Sequence, residues 1–406
     1  MIDLDAALAA YAEQLQPLPA ETISTLDALN RVLAAPAAYA DDLPRFDQSA
    51  MDGYALRAAD VADASATHPV HLPLAATVAA GAHDTLAELP SKSAARIFTG
   101  APLPPGADCM IPQERAQLDD DRLVFTQPWP ARSNIRWRGE EARAGAPLAS
   151  AGQRIHPGLL AALVNAGVER LSVHRRPRIR VLATGDEIRP LGSTLRPGEI
   201  INSNGPLVTA LLTHWGYPAP HEQWVADQPQ AVEQALAQAL DGADLVLSCG
   251  GASVGDRDYL PATAERLGTR RVFWKLAQKP GKPLFFGVRG NTAMLAMPGN
   301  PGAVLISLLV HVRRVLDLLE GVSTPEPHWQ PGRASADIDR DPHRDRLLRM
   351  RLEYSAHAVA TLHPLPQQDS HMLGNLNRAD VLVRVPPGNS HSAAGSLLQW
   401  IPLDCR

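Results

Sequence analysis

At 406 residues the chain is long for one hydrophobic core, and two to four domains are expected. A hydrophobic content of 45%, a charged content of 20% and a net charge of −5 exclude a disordered chain and argue against a nucleic-acid backbone as the main partner. Three scattered cysteines, Cys109, Cys249 and Cys405, show no CxxC spacing, which fits a reducing compartment and argues against a disulfide framework or a zinc cluster.

The opening residues Met1-Ile2-Asp3-Leu4-Asp5 lack the basic start and apolar run of a signal peptide. Leu4, Ala7, Leu8, Tyr11 and Leu15 then recur at helical spacing, and Pro17 and Pro19 end that helix. Residues 27–33 read as a second short helix or turn. The stretch 43–55 settles into neither a helix nor a strand period. It reads as a structural connection, although the carboxylate of Asp52 before Gly53 equally suits a ligand. From about 70 to 130 short β-like runs (70–74, 95–99 and 122–125) are cut by Pro and Gly, the pattern of a small all-β domain. Within it, 99–106 is a rigid exposed loop of Pro and Gly. Residues 136–145, with charges of both signs including Glu140 and Glu141, read as a linker face. A helical pattern returns over 157–168.

From 178 the periodicity changes. Strands are expected at 179–183, 223–226, 244–249, 271–274, 284–288 and 293–297, and helices at 206–215, 229–240, up to 267, and from 298 to 319. Strands alternating with helices over about 140 residues indicate a doubly wound, mostly parallel sheet. The most apolar long segment, 303–310, meets His311, Arg313 and Arg314 far short of a membrane span, so a soluble, cytoplasmic protein is expected. Beyond Val322, Pro325-Glu326-Pro327 introduces a last domain whose runs 347–352 and 381–385 suit a small β-barrel or sandwich.

In such a sheet, ligands sit beyond the carboxyl ends of the strands. Thr184-Gly185-Asp186-Glu187, Asp227, the loop from Gly250 to Asp258 and the turn Pro298-Gly299-Asn300-Pro301-Gly302 all fall at such ends. The glycines Gly250, Gly251 and Gly255 let the backbone approach an anion closely, and Asp256 and Asp258 stand where a magnesium ion could be shared with a phosphate. A tight strand-to-helix turn with an Asp cap is the plainer alternative for that loop alone. The chain has four lysines against 34 arginines, and three of the four are Lys275, Lys279 and Lys282. Where Arg is the default, such a cluster suggests a need for compact ammonium groups. Glu187, Asp227, Asp256 and Asp258 need a divalent cation or these lysines to offset them beside an anion. The set suits a phosphorylated ligand with Mg²⁺ and a displacement at phosphorus. No GxxxxGK[ST] loop occurs, and no GxGxxG follows the first strand, which excludes a P-loop NTPase and weighs against a dinucleotide dehydrogenase. His214, His221 and His311 show no ligand spacing and read as structural or exposed.

Several strings, in order, resemble the molybdopterin molybdenumtransferases, the MoeA proteins and the E domain of gephyrin. They are Ser49-Ala50-Met51-Asp52-Gly53-Tyr54-Ala55, Thr99-Gly100-Ala101-Pro102, Thr184-Gly185-Asp186-Glu187, Gly250-Gly251-Ala252-Ser253-Val254-Gly255-Asp256, Lys279-Pro280-Gly281-Lys282-Pro283 and Pro298-Gly299-Asn300-Pro301. The resemblance covers essentially the whole chain. It implies an α/β plus all-β chain of four parts: 1–44 with 140–176 as a helical/linker domain, 45–139 as a β-rich domain, 177–324 as the α/β molybdopterin-binding domain and 325–406 as a C-terminal β-barrel. It also implies a homodimer whose active site combines parts of two subunits, and possible contact with other proteins of the same pathway. The implied reaction converts adenylylated molybdopterin and molybdate into molybdenum cofactor and AMP, with Mg²⁺.

Carried over residue by residue, Asp52 and Thr99 match functional positions of the β-rich domain. Glu187, Asp227 and Asp258 match the family's acidic, metal-holding positions, and Lys275, Lys279 and Lys282 the family's basic ones. Thr184, Gly185, Asp186, Gly250, Gly251, Ser253, Gly255, Asp256, Pro298, Gly299, Asn300 and Pro301 are the expected ligand-binding positions. Lys279, Lys282, Arg344 and Arg349 are expected at molybdate. Three departures stand out: Glu141 where the family often has Asp, Ala303 in place of a serine, and Arg346 where an acidic residue is usual. Two rivals remain: a molybdopterin adenylyltransferase with a similar α/β domain, and a non-catalytic scaffold like gephyrin.

Overall fold

A computed structural model of the chain describes residues 1–81, 86–252, 259–354 and 359–403. Helix α1 (Leu4–Gln14) starts where Asp3 caps it, its carboxylate accepting from the Ala6 N–H at 2.7 Å. Its apolar stripe of Leu4, Ala7, Leu8 and Tyr11 is buried against the central sheet described below. Residues Ala20–Ser24 then pair antiparallel with Arg170–His174, and Ala37–Ala38 with Pro147–Ala149. These ribbons and helix α2 (Pro157–Asn165) share a small core of Leu33, Ile155, Leu159, Leu163, Leu171 and Val173.

The β-rich part is a curled six-stranded sheet in the order Cys109–Pro112, Gly53–Leu56, Ala94–Ile97, Val70–Val78, Arg122–Phe125, Gln117–Asp119. Here the structure departs from the expected connection at 43–55. All four residues of Gly53–Leu56 are buried, between strands on both sides. A strand covered on both faces has no apolar–polar alternation to read. Gly53 is required there, because an added Cβ would sit 2.0 Å from the Ile111 carbonyl oxygen.

The central sheet contains β1 (Ile179–Thr184), β2 (His221–Val225), β3 (Leu245–Cys249), β4 (Arg270–Trp274), β5 (Phe285–Arg289) and β6 (Thr292–Met297). Their order is β2-β1-β3-β6-β5-β4. The first four neighbours are parallel, and β5 alone runs against both of its neighbours. Every residue of β3 is buried, as expected of an apolar run in the middle of a sheet covered on both faces. Alternate strand residues face opposite layers. Val181, Leu247, Phe286 and Leu295 meet α1, α3 (Asn204–His214) and the last helical stretch. Leu182, Val246, Phe285 and Met294 meet α4 (Pro229–Gly242) and α5 (Leu260–Arg266). That last stretch is α6 (Pro301–Ser307), a π-helical segment at Leu308–Val312 and α7 (Arg313–Leu319).

The C-terminal part closes on itself as a five-stranded barrel. Asp345–Tyr354, Ala360–Pro364, Gln330–Ala334, Leu397–Pro402 and Val381–Val385 pair in turn, and the last returns to the first. A sixth, two-residue strand, Gln278–Lys279, joins it from the central domain beside Asp345 and Arg346. Leu347, Leu382 and Ile401 enter the same core as α1 and the central sheet, so the barrel is packed against that sheet rather than tethered to it. Among the described residues, no helix is long and apolar enough to cross a membrane.

Candidate active site

The carboxyl ends of β1, β3 and β6 open onto a cleft of about 570 Å³. Thr184, Gly185, Glu187, Asp227, Gly250, Gly251, Pro298, Gly299, Asn300 and Pro301 line it, as the strand order brings these separate loops to one edge. Gly250 and Gly251 have φ of +97° and +67°, where a side chain is strained. A Cβ on Gly250 would approach the Thr184 carbonyl oxygen to 2.9 Å, and one on Gly299 would sit 3.7 Å from the Gly250 Cα. Two glycine turns are thus stacked directly against each other, leaving backbone exposed to the cleft. The Gly250 N–H continues the β3–β6 ladder, donating to the Met297 carbonyl at 3.2 Å.

The acidic wall is partly tied down. The Asp186 N–H donates to Asp227 Oδ2 at 3.3 Å, and the Asp227 N–H returns the bond to Asp186 Oδ1 at 3.1 Å. This reciprocal pair locks the loops after β1 and β2 together. Asp186 serves that lock and is not itself part of the cleft lining. Ser253, Gly255, Asp256 and Asp258 lie outside the described residues. Among the described residues, no three His, Cys, Asp or Glu side chains gather as a metal-holding group. Glu187 and Asp227 both line the cleft. A pair of hard carboxylate donors fits Mg²⁺, which uses one or two carboxylates and takes its remaining ligands from water and phosphate.

Cys249 also borders the cleft. Burial, with a smaller contribution from Glu222, pushes its thiol up to about 12, so it is a neutral group at physiological pH and not a thiolate nucleophile.

Sequence reasoning did not single out the walls from Ile200 to Asn204, nor His371 from the barrel, both of which line the cleft. Asn204 donates to the Gly299 carbonyl at 2.7 Å and so fixes the start of α3 against the second glycine turn. Its partner lies 95 residues away, so no local pattern in the sequence marks that role. Buried Arg349 places the segment that carries His371. Its guanidinium donates to the backbone carbonyls of Met372, Gln367 (2.9 Å) and Asp369 (3.2 Å). The neighbouring Ser370 then accepts at both atoms beside the cleft. Its carbonyl takes the Gly302 N–H at 2.7 Å, and its hydroxyl accepts from the Asn300 side-chain amide Nδ2 at 2.8 Å.

Lys275, Lys279 and Lys282 do not line the cleft, although their loop reaches it. Pro283 lines the cleft directly, while exposed Lys279 and Lys282 stand on the same loop. Lys275 lies over the Trp274 ring, 5.0 Å from its centroid, and the Trp274 indole N–H donates to the Ala252 carbonyl at 3.0 Å. This links the lysine segment to the end of the glycine turn. Arg344 grips Asp341 at 2.7 Å and, with a further contribution from Lys279, lowers its carboxyl to about 2. Arg344 and Asp341 therefore form an ion pair at the barrel's edge, within the field of Lys279.

Asp52 and Thr99 are joined to each other in the β-rich part and do not line this cleft. The Thr99 N–H and hydroxyl both donate to Asp52 Oδ1, at 2.8 and 2.7 Å. These bonds, the backbone one first, hold the Asp52 carboxyl below its usual range.

Three family profiles match the chain in order. They are described as the MoeA N-terminal region (domain I and II) over residues 2–167, a probable molybdopterin binding domain over 180–317 and the MoeA C-terminal region (domain IV) over 331–403. A molybdopterin molybdenumtransferase of Synechococcus elongatus is 34% identical over 386 residues, 94% of each chain. The enzyme of the same name from Nostoc sp. is 32% identical, over 92% of this chain and 87% of its own. A crystal structure of a molybdopterin biosynthesis MoeA protein from Pyrococcus horikosii superposes with a TM-score of 0.79 at 25% identity, covering 99% of both chains.

Proposed function

The chain belongs to the molybdopterin molybdenumtransferase family, and from that premise we propose that its strand-end cleft takes adenylylated molybdopterin and inserts molybdenum from molybdate, releasing AMP. The observation that carries this reading is the stacked pair of glycine turns, Gly250-Gly251 and Pro298-Gly299, at one sheet edge with Glu187 and Asp227. Such a surface lets phosphate oxygens approach the backbone without a side chain intervening.

Glu187 and Asp227 are the residues that would hold Mg²⁺; Asp258, expected from the sequence in the same role, lies outside the described residues. Bound there, the ion would supply charge neutralisation at the phosphoanhydride. Thr184, Gly185, Gly250, Gly251 and Asn300 orient the phosphates, and Asp186 keeps Asp227 in place; Ser253, Gly255 and Asp256 are further ligand positions expected from the sequence alone. The ammonium groups of Lys279 and Lys282 attract molybdate, a compact dianion, from the adjoining loop, and Lys275 adds to that field. Arg344 sets the position of Lys279's neighbourhood through Asp341. Arg349 acts one step back by holding the Ser370–His371 segment at the cleft, because its donors are engaged with carbonyls. An oxygen of molybdate or water attacks the phosphoanhydride and the P–O bond to AMP breaks; the two dithiolene thiols bind molybdenum in place of one oxygen, which stays on the phosphate, with release of the two thiol protons, when it was the nucleophile and otherwise leaves with them as water.

Asp52 and Thr99 serve this reaction from a second subunit of a homodimer, their pairing presenting one fixed carboxylate and hydroxyl unit. Residues matching the MoeA regions on both sides of the α/β domain weigh against a stand-alone adenylyltransferase. The deciding measurement is AMP release from adenylylated molybdopterin with and without molybdate. Release that requires both molybdate and Mg²⁺ is expected. Consumption of ATP with molybdopterin, or no turnover at all, overturns the reading in favour of an adenylyltransferase or a scaffold.

A further inference from the structure

The lysine loop has no regular structure beyond its two-residue strand, yet its base is gripped by a buried polar chain that the chemistry above does not use. Tyr11, Gln278 and His311 are each 0% exposed. They come from α1, the loop itself and the π-helical segment at Leu308–Val312. The Tyr11 hydroxyl lies 3.1 Å from His311 Nδ1, His311 Nε2 lies 2.9 Å from Gln278 Oε1, and Gln278 Nε2 donates to the Pro280 carbonyl at 2.9 Å.

The directions of these bonds follow from one end. The Pro280 carbonyl can only accept, so the Gln278 amide must turn its NH₂ there and its oxygen toward His311. His311 Nε2 must then carry the proton, and Nδ1 must accept from the Tyr11 hydroxyl. Burial keeps the ring neutral, pushing His311 down to about 3. Every member has one partner per bond, so the chain has a single low-energy arrangement. Gly281 completes the seat: its φ is +103°, and a Cβ there would meet Gln278 Nε2 at 2.4 Å. The same loop is also clamped by the first residues of the chain. The Ile2 N–H donates to the Lys275 carbonyl at 3.2 Å, and the Ala277 N–H donates back to the Ile2 carbonyl at 2.7 Å.

We propose that Tyr11, His311 and Gln278 are positioning residues that fix the Pro280–Gly281 turn, and through it the spacing of Lys279 and Lys282 where the oxyanion enters. A loop bearing two like charges would otherwise spread. Holding its turn by a buried carbonyl bond sets the spacing of the two ammonium groups without drawing on their charge.

The role at molybdate rests on the reading of the cleft given above, so the test has one arm that does not depend on it. His311→Leu breaks the chain, and His311→Gln keeps one donor and one acceptor. Backbone amide exchange of residues 276–284 in the full-length protein should accelerate about tenfold in His311→Leu and stay near wild type in His311→Gln. Equal exchange in the two variants overturns the positioning role whatever reaction the protein performs. In turnover, His311→Leu and Gln278→Leu should raise KM for molybdate about tenfold while kcat and KM for the pterin substrate stay within about twofold. A uniform loss across all three parameters, tracking a fall in Tm, identifies ordinary core packing and overturns the link to the lysines. Tyr11→Phe removes one hydroxyl and keeps the ring packing on Phe273 and Phe286, so it reads the chain even if the larger changes impair folding. It should raise KM for molybdate about two- to threefold, and an unchanged value counts against the chain.

Discussion

The two walls of the proposed site are built in opposite ways. The glycine wall is backbone: turns at the ends of adjacent strands, close to each other because the sheet order places them so, with most of their geometry set by neighbours in sequence. The lysine wall is side chains on a loop, and what shapes that loop arrives from far away. Tyr11 and His311 are 300 residues apart, and the strand beside Lys279 belongs to the barrel. A wall made of backbone tolerates the loss of a side chain but not the gain of one. A wall made of propped side chains fails by deletion.

The sharpest way to break the first half of that contrast is Gly250→Ala. Its φ of +97° and the 2.9 Å approach to the Thr184 carbonyl make even one methyl costly. A loss of about 100-fold in kcat/KM is expected, with a smaller change in Tm than in activity. Activity within a few-fold of wild type would show that the glycine turn is only a turn.

Arg349→Leu is next and probes the barrel's contribution. It leaves the Gln367, Asp369 and Met372 carbonyls without their buried donor, at a cost of about 2–3 kcal/mol in urea unfolding. Since Ser370 and His371 lie between these carbonyls, turnover should drop about tenfold and the phosphate ligand should bind more weakly. Normal turnover together with lost stability would confine Arg349 to the barrel.

The smallest effect expected is a pH slope. His311 in the folded chain lies well below 6.5, its value when unfolded. As pH falls through 6.5, the unfolded chain therefore binds a proton that the folded chain refuses, and stability falls by up to about 1.4 kcal/mol per pH unit. Above 6.5 the residue contributes no slope. Urea midpoints at pH 7, 6 and 5 should fall less steeply in His311→Gln than in wild type. Parallel curves would mean that His311 is not held neutral, and the long-range support of the lysine wall would lose its central member.

How much of this could be read from the amino acids depends on the distance over which each feature is decided. The run Leu245-Val246-Leu247-Ser248-Cys249 announces a buried strand because five adjacent residues all enter the core. The turns at Gly185, Gly250 and Gly251 show themselves because positive φ demands glycine on the spot. The lysines stood out only against a background of arginine. Gly53–Leu56 was illegible because a strand buried on both faces leaves no period, and Asn204 was hidden because its partner, the Gly299 carbonyl, lies 95 residues away.

By itself, then, the sequence determined the alternation of strands and helices, the glycine turns at the strand ends and the family to which these strings belong. Each of those is written within a few neighbouring residues. Only the tertiary structure decided that His371 reaches the cleft from the barrel, that Arg349 holds the segment bearing it, and that Tyr11 and His311 prop the lysine loop. Those are single contacts between residues far apart in the chain, where burial and hydrogen bonding choose the partner and no local pattern records the choice.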